Sequence, residues 1–97
     1  MMAQLLLEHQ RLVILRLLHE ASGMDLNESI LQDGLDAYGL NISRDNLRVQ
    51  LAWLEEQGQL SLAPVGRSQV ARLTVRGEDT AMGRARVPGI KRPSAGD

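Results

Sequence analysis

The chain has no cysteine and no phenylalanine, and among its 97 residues only Tyr38 and Trp53 are aromatic. Without cysteine there is no disulfide scaffold, no zinc ribbon and no thiol chemistry. With two aromatic rings the core has to be aliphatic, and a surface that stacks on exposed bases is not expected. There is no excess of either charge, since the formal net charge is -1, so no whole-protein field draws in a polyanion. No long apolar run is present either. The longest stretch, Leu5 to Leu18, is interrupted by Glu8, His9, Gln10, Arg11 and Arg16, which excludes a membrane span. The same interruptions, and the lack of positive charge ahead of them, exclude a signal peptide. A cytoplasmic protein is expected.

Motifs for catalysis are missing too. His9 and His19 lie ten positions apart on one expected helix, too far to share a face as neighbours. No H-E-x-x-H, G-x-S-x-G or phosphate-loop pattern occurs. The expectation is a binding protein, not an enzyme, with no metal and no cofactor. His19 near a helix C-terminus suits the helix dipole.

What the sequence does hold is an ordinary globular balance, 43% hydrophobic and 24% charged residues. The charge is unevenly spread. Residues 1–60 carry four Arg against nine Asp and Glu, and residues 61–97 carry seven Lys and Arg against three acids. Any polyanion would meet the C-terminal third first.

Apolar spacing predicts a first helix over about 2–20. Leu6, Leu7, Val13, Ile14, Leu17 and Leu18 form one stripe, and Leu5, Leu12 and Leu15 form a second seam on the far side. One seam faces the core. The other is covered either by the same chain or by a second copy, and the expectation is a homodimer through Leu5, Leu12 and Leu15. A second helix begins near Asn27 or Ser29 and stops at Gly39. Ser43 caps a third helix that runs to about Gln57, with Leu47, Leu51 and Leu54 facing inward. Two helices joined by so short a turn form a helix-turn-helix pattern. Leu60 to Val65 and Gln69 to Thr74 read as strands around the turn Gly66-Arg67-Ser68. A short fourth helix is predicted from Arg76 to about Gly83, capped by Thr74. The fold class expected is α+β, a winged helix-turn-helix of three helices, a two-stranded wing and a short fourth helix over residues 1–83. Residues 84–97 form an extended basic arm. Val87 to Ile90 should pack on a neighbouring surface, and the residues after Pro93 should be loose.

The segment Leu51-Ala52-Trp53-Leu54-Glu55-Glu56-Gln57-Gly58-Gln59-Leu60 resembles the end of a winged-helix recognition helix running into the wing. Val70-Ala71-Arg72-Leu73-Thr74-Val75-Arg76-Gly77 resembles the second wing strand and the L-T-x-x-G that follows it in ArsR-, MarR- and PadR-like regulators. The opening Leu6 to Arg16 and the closing Val87-Pro88-Gly89-Ile90-Lys91-Arg92-Pro93 are similar to small ArsR-like winged-helix proteins of Mu-like transposable phages and prophages. The resemblance implies a DNA-binding transcriptional regulator. One departure is plain: ArsR metal sensors use cysteine pairs, and this chain has none.

On that reading Ser43, Arg44, Asn46 and Arg48 of the third helix, with Arg67 and Ser68 at the wing tip, contact double-stranded DNA. Asp45, Glu55 and Glu56 oppose this. The alternative is a phage protein-interaction or morphogenesis accessory that keeps the fold without binding DNA and uses Val49, Ala52 and Trp53. Trp53 itself is expected to pack under the wing. A basic surface joining the third helix to the wing would favour DNA; an acidic or apolar one would favour a protein partner. Arg84, Arg86, Lys91 and Arg92 of the arm would lie on DNA, on an acidic patch of another subunit, or in solvent.

Overall fold

The computed structural model describes residues 1–94. Helix α1, Met2–Glu20, is followed by a single 3₁₀ turn at Ser22–Met24 and a short strand β1, Asp25–Asn27. Helices α2, Glu28–Ala37, and α3, Arg44–Glu56, come next. The strands β2, Leu60–Val65, and β3, Ser68–Leu73, form a hairpin, and α4 spans Val75–Ala81. The result is an α+β body of four helices and one antiparallel sheet of order β1-β3-β2, consistent with a winged-helix-like fold. Among the described residues no helix is long and apolar enough to cross a membrane.

Local chemistry sets most boundaries. Asn27 accepts a hydrogen bond from the Ser29 N–H and caps α2; Ser43 accepts one from Asn46 and caps α3; Thr74 accepts one from Gly77 and caps α4. In β2–β3 the register pairs Leu60 with Leu73 and Val65 with Ser68 across the turn at Gly66-Arg67. The third strand, β1, was not expected from the sequence. At three residues it is too short to display an alternation, and it forms because Asp25, Leu26 and Asn27 pair with Arg72, Ala71 and Val70 of β3. The fourth helix starts one residue earlier than predicted and ends at Ala81.

Gly77 explains the L-T-x-x-G motif. A Cβ at this position would overlap the Gln59 carbonyl, which already accepts a hydrogen bond from the Thr74 N–H at 3.2 Å. Only glycine lets α4 sit this closely on the α3–β2 connection.

The dimer seam requires correction. Leu12 and Leu15 are 0% exposed within the single chain, together with Ile14 and Leu18. The reason is that α1 is the central helix, contacted by α2 and by β3 and α4, so both of its apolar sides are used internally. Leu5 remains outside at 61% exposure, beside exposed Met2 and Leu6.

The arm is extended, and its first half belongs to the folded body. Ile90 is only 6% exposed and joins the core, with Val87 packed against it. The Lys91 N–H donates to the Glu8 carbonyl at 3.1 Å. No structural boundary therefore falls at residue 83. The expectation of a loose end after Pro93 falls, beyond Ser94, outside the described residues.

Candidate nucleic-acid interface

Helix α3 is held on two opposite flanks. At ~100° per residue, Leu47, Gln50, Leu51 and Leu54 face the core, and all four are buried. The outward strip is Asp45, Val49, Ala52 and Glu56, all exposed. Arg44 and Arg48 occupy one flank; Asn46 and Trp53 occupy the other.

On the first flank the centre is Glu28, whose side chain is 0% exposed. The Arg48 guanidinium grips it in two places, Nε donating to Oε1 at 2.8 Å and Nη2 to Oε2 at 2.7 Å. The Gln69 N–H of β3 donates to the same carboxylate at 3.1 Å. Arg48 holds the Glu28 carboxyl below the usual carboxylate range mainly by this hydrogen bonding; burial opposes it, and Gln69 and Arg44 add to it. Reciprocally, Glu28 raises the Arg48 pKa. Arg48 Nη2 also donates to the Arg67 carbonyl at the hairpin tip, at 2.9 Å. Arg44 donates to Gln32 Oε1 and to Ser29 Oγ, both at 2.9 Å, with Nη1 at 3.8 Å from Glu28.

These contacts join α2, α3 and the hairpin, orienting the side chains of Arg44 and Arg48 and holding the backbone of Arg67. Arg44 and Arg48 keep 39% and 40% of their side chains exposed, while the carboxylate that orients them is hidden. Arg67 is exposed beside them. The surface facing solvent from α3 to the hairpin is thus basic at Arg44, Arg48 and Arg67, with exposed Glu55 on the same flank, its carboxylate accepting from the Leu62 N–H of β2 at 2.9 Å, and acidic on the outward strip. Of the other predicted contact residues, Ser43 is exposed with its Oγ engaged as the helix cap, Asn46 is exposed and accepts from Gln50 Nε2 at 3.2 Å, and Ser68 is half-buried. Glu28, the residue that orients Arg44 and Arg48, was not singled out from the sequence. Its position just after the capping Asn27 signals only a helix N-terminus.

The second flank is organised by Arg11, a buried cation. Its Nε donates to Gln50 Oε1 and its Nη1 to the Gly89 carbonyl, both at 2.9 Å. Its guanidinium carbon lies 3.9 Å from the centre of the Trp53 ring. Burial lowers the Arg11 pKa, and nearby Glu8 partly offsets this. Gly89 has φ +96°, and a Cβ there would press on the Trp53 ring at 3.0 Å and on Arg11 at 3.1 Å. The contacts that fix Trp53 thus come from the arm and from Arg11, where the sequence suggested the wing. The two end segments singled out in the sequence meet here.

Among the described residues no group of three His, Asp or Glu side chains is placed to hold a metal ion. One pocket, lined by Val13, Arg16, Leu17, Glu20 and Tyr38, has a volume of about 60 Å³, room for a few waters; a more open polar one, lined by Gln32, Asp33, Asp36, Asn41 and Ile42, has about 300 Å³.

The chain is 52% identical over 93 residues to the uncharacterized protein gp26 of Escherichia phage Mu, spanning 96% of both. It is also 59% identical over 59 residues to an uncharacterized protein of Haemophilus influenzae Rd, which covers 61% of this chain and 57% of that one. No family model and no solved structure matches. With near full-length identity of this order, the chain belongs to the family of phage Mu gp26, and its origin is a Mu-like phage or prophage.

Proposed function

We propose that this protein is a winged-helix, ArsR-like DNA-binding regulator of transcription in a Mu-like phage, working in the host cytoplasm by binding and not by catalysis. The observation that supports it is the set Arg44, Arg48 and Arg67 from α3 to the hairpin tip, of which Arg44 and Arg48 are oriented around a buried carboxylate and Arg48 holds the Arg67 carbonyl. Preorganised guanidinium groups lose little freedom on meeting phosphate.

The same contacts limit what the arginines do. Arg48 spends Nε and Nη2 within the chain, and Arg44 does the same. Neither retains the free fork that a bidentate guanine contact takes. Their role is to hold the backbone, with Arg67, while base selection falls to Ser43, Asn46 and Ser68. The homodimer belongs to the same proposal on a narrower footing, the exposed end of α1 at Leu5 with Met2 and Leu6. Two subunits would address half-sites about one helical turn, ~34–36 Å, apart.

The test is fluorescence anisotropy of the wild-type protein with a pool of random duplexes at low salt, alongside light scattering for the oligomeric state. Binding that Arg67→Ala weakens equally on all sequences supports the reading. No binding to any duplex overturns it. One feature favours the second reading: the outward strip Asp45, Val49, Ala52 and Glu56 is acidic and apolar. A protein without duplex affinity would use that strip as an accessory binding to a phage protein partner.

A further inference from the structure

Helix α1 is the central helix, yet Met2, Leu5, Leu6 and His9 of its first turns are exposed. Its neighbours arrive on either side of them. Helix α2 approaches where a Cβ on Gly34 would meet Leu17 at 2.7 Å, and where Gln10 donates to the Leu40 carbonyl at 3.4 Å. The arm approaches at Arg11 and at the Glu8 carbonyl. At ~100° per residue, Met2, Leu6, Val13 and Leu17 fall in line on the strip between these approaches. The N-terminal end of the strip is a knob, exposed Leu6 with Met2. The C-terminal end is a socket of about 60 Å³ lined by Val13, Arg16, Leu17, Glu20 and Tyr38.

From this we infer that a second copy covers the strip, the two α1 helices running antiparallel with Leu6 of each seated between Val13, Leu17 and Tyr38 of the other. This rests on the homodimer in the reading above and gives it an orientation and a socket. Two observations select a second copy. Knob and socket share one helix face, so a single two-fold axis near the level of Gln10 fills both sockets at once. The N-terminus of α1 also has no side-chain cap and no acidic residue in its first turn. The same axis brings the exposed Glu20 of the second copy to that positive helix end, and reciprocally. A 19-residue helix is ~28 Å long and ~10–12 Å across, a face of ~300 Å². That is under half of the ~800 Å² per partner of a standard interface, so the dimer exchanges with monomer and grows with concentration.

The experiment combines sedimentation from micromolar to millimolar concentration with oxidative cross-linking. The chain has no cysteine, so each introduced thiol reports alone. Wild type should dimerise as concentration rises. Leu6→Glu should weaken association at least tenfold with an unchanged melting temperature, because Leu6 packs outside the core. His9→Cys, close to the axis, should link to itself. Leu6→Cys and Leu17→Cys should link when mixed and not alone, and Glu20→Cys alone should stay unlinked, its two copies lying far apart. A dimer in which Leu6→Cys links to itself is parallel and overturns the arrangement. A dimer untouched by Leu6→Glu, with His9→Cys unlinked, overturns the interface and leaves a homodimer through another surface. Wild type that stays monomeric at millimolar concentration overturns the homodimer as well.

Discussion

The two flanks of α3 solve the same problem with different chemistry. Each uses an arginine to tie the helix to distant parts of the chain. On the α2 side Arg48 and Arg44 meet a buried carboxylate, and the tie is an ion pair sharpened by hydrogen bonds. On the arm side Arg11 has no carboxylate in hydrogen-bond contact and is held by an amide oxygen, a carbonyl and the face of an indole. A cation held by dipoles and a π face does not depend on a titrating partner, whereas one held by Glu28 does. The comparison teaches that the α2 side is adjustable, with half-exposed guanidinium groups available to a ligand, while the arm side is a fixed brace.

The largest expected effect breaks the brace. Gly89→Val places a β-branched side chain at φ +96° and drives it into Trp53 and Arg11. Backbone strain and overpacking together cost roughly 2–5 kcal/mol, read by urea unfolding. Loss of stability below that range would mean that the arm yields. Arg11→Met comes next. It keeps the bulk but forfeits the hydrogen bonds to Gln50 and Gly89, for about 1–3 kcal/mol. Amide exchange at residues 90 and 91 should quicken while that of α2 does not. Uniform acceleration would contradict the separation of the two flanks.

How far these flanks were legible in the sequence depends on the range of the contacts. Helix limits and caps were readable because Asn27, Ser43, Thr74 and Gly39 act on their own neighbours. The burial of Leu12 and Leu15 was not, because periodicity reports that a helix has two apolar sides and not what covers the second. Arg44, Arg48 and Arg67 were legible as candidates. Glu28 was not, since the partners that define its role lie 20 and 41 residues away in sequence. Arg11, Trp53 and Gly89 were visible as parts of separate segments, and only folding brings positions 11 and 89 together.

Acid should distinguish the flanks by a smaller amount. The folded-state pKa of Glu28 is depressed, so its contribution is present above the ordinary glutamate pKa. It is lost as pH falls through the folded value. Cooling of the melting temperature below about pH 4 should be accompanied by faster exchange at the Gln69 amide, with the arm unaffected. Glu28→Gln should remove that part of the acid dependence. The same acid sensitivity in Glu28→Gln would show that another carboxylate is responsible. The smallest effect concerns the outward strip. Asp45→Asn and Glu56→Gln each remove an exposed carboxylate from the outward strip of α3 and, on the proposed DNA-binding reading, should tighten duplex binding about two- to five-fold at low salt. Weaker binding would mean that these carboxylates contact the duplex productively.

The most direct test of the account is the salt dependence of wild-type and Arg67→Ala binding to a random duplex. With two or three phosphate contacts per subunit a dimer gives a logarithmic slope of about -4 to -5, and losing Arg67 flattens it by about one per hairpin tip. That result, with equal weakening on every sequence, is the one predicted for a backbone grip through Arg44, Arg48 and Arg67. A wild-type slope indistinguishable from zero, or an Arg67→Ala variant with the wild-type slope, would contradict it.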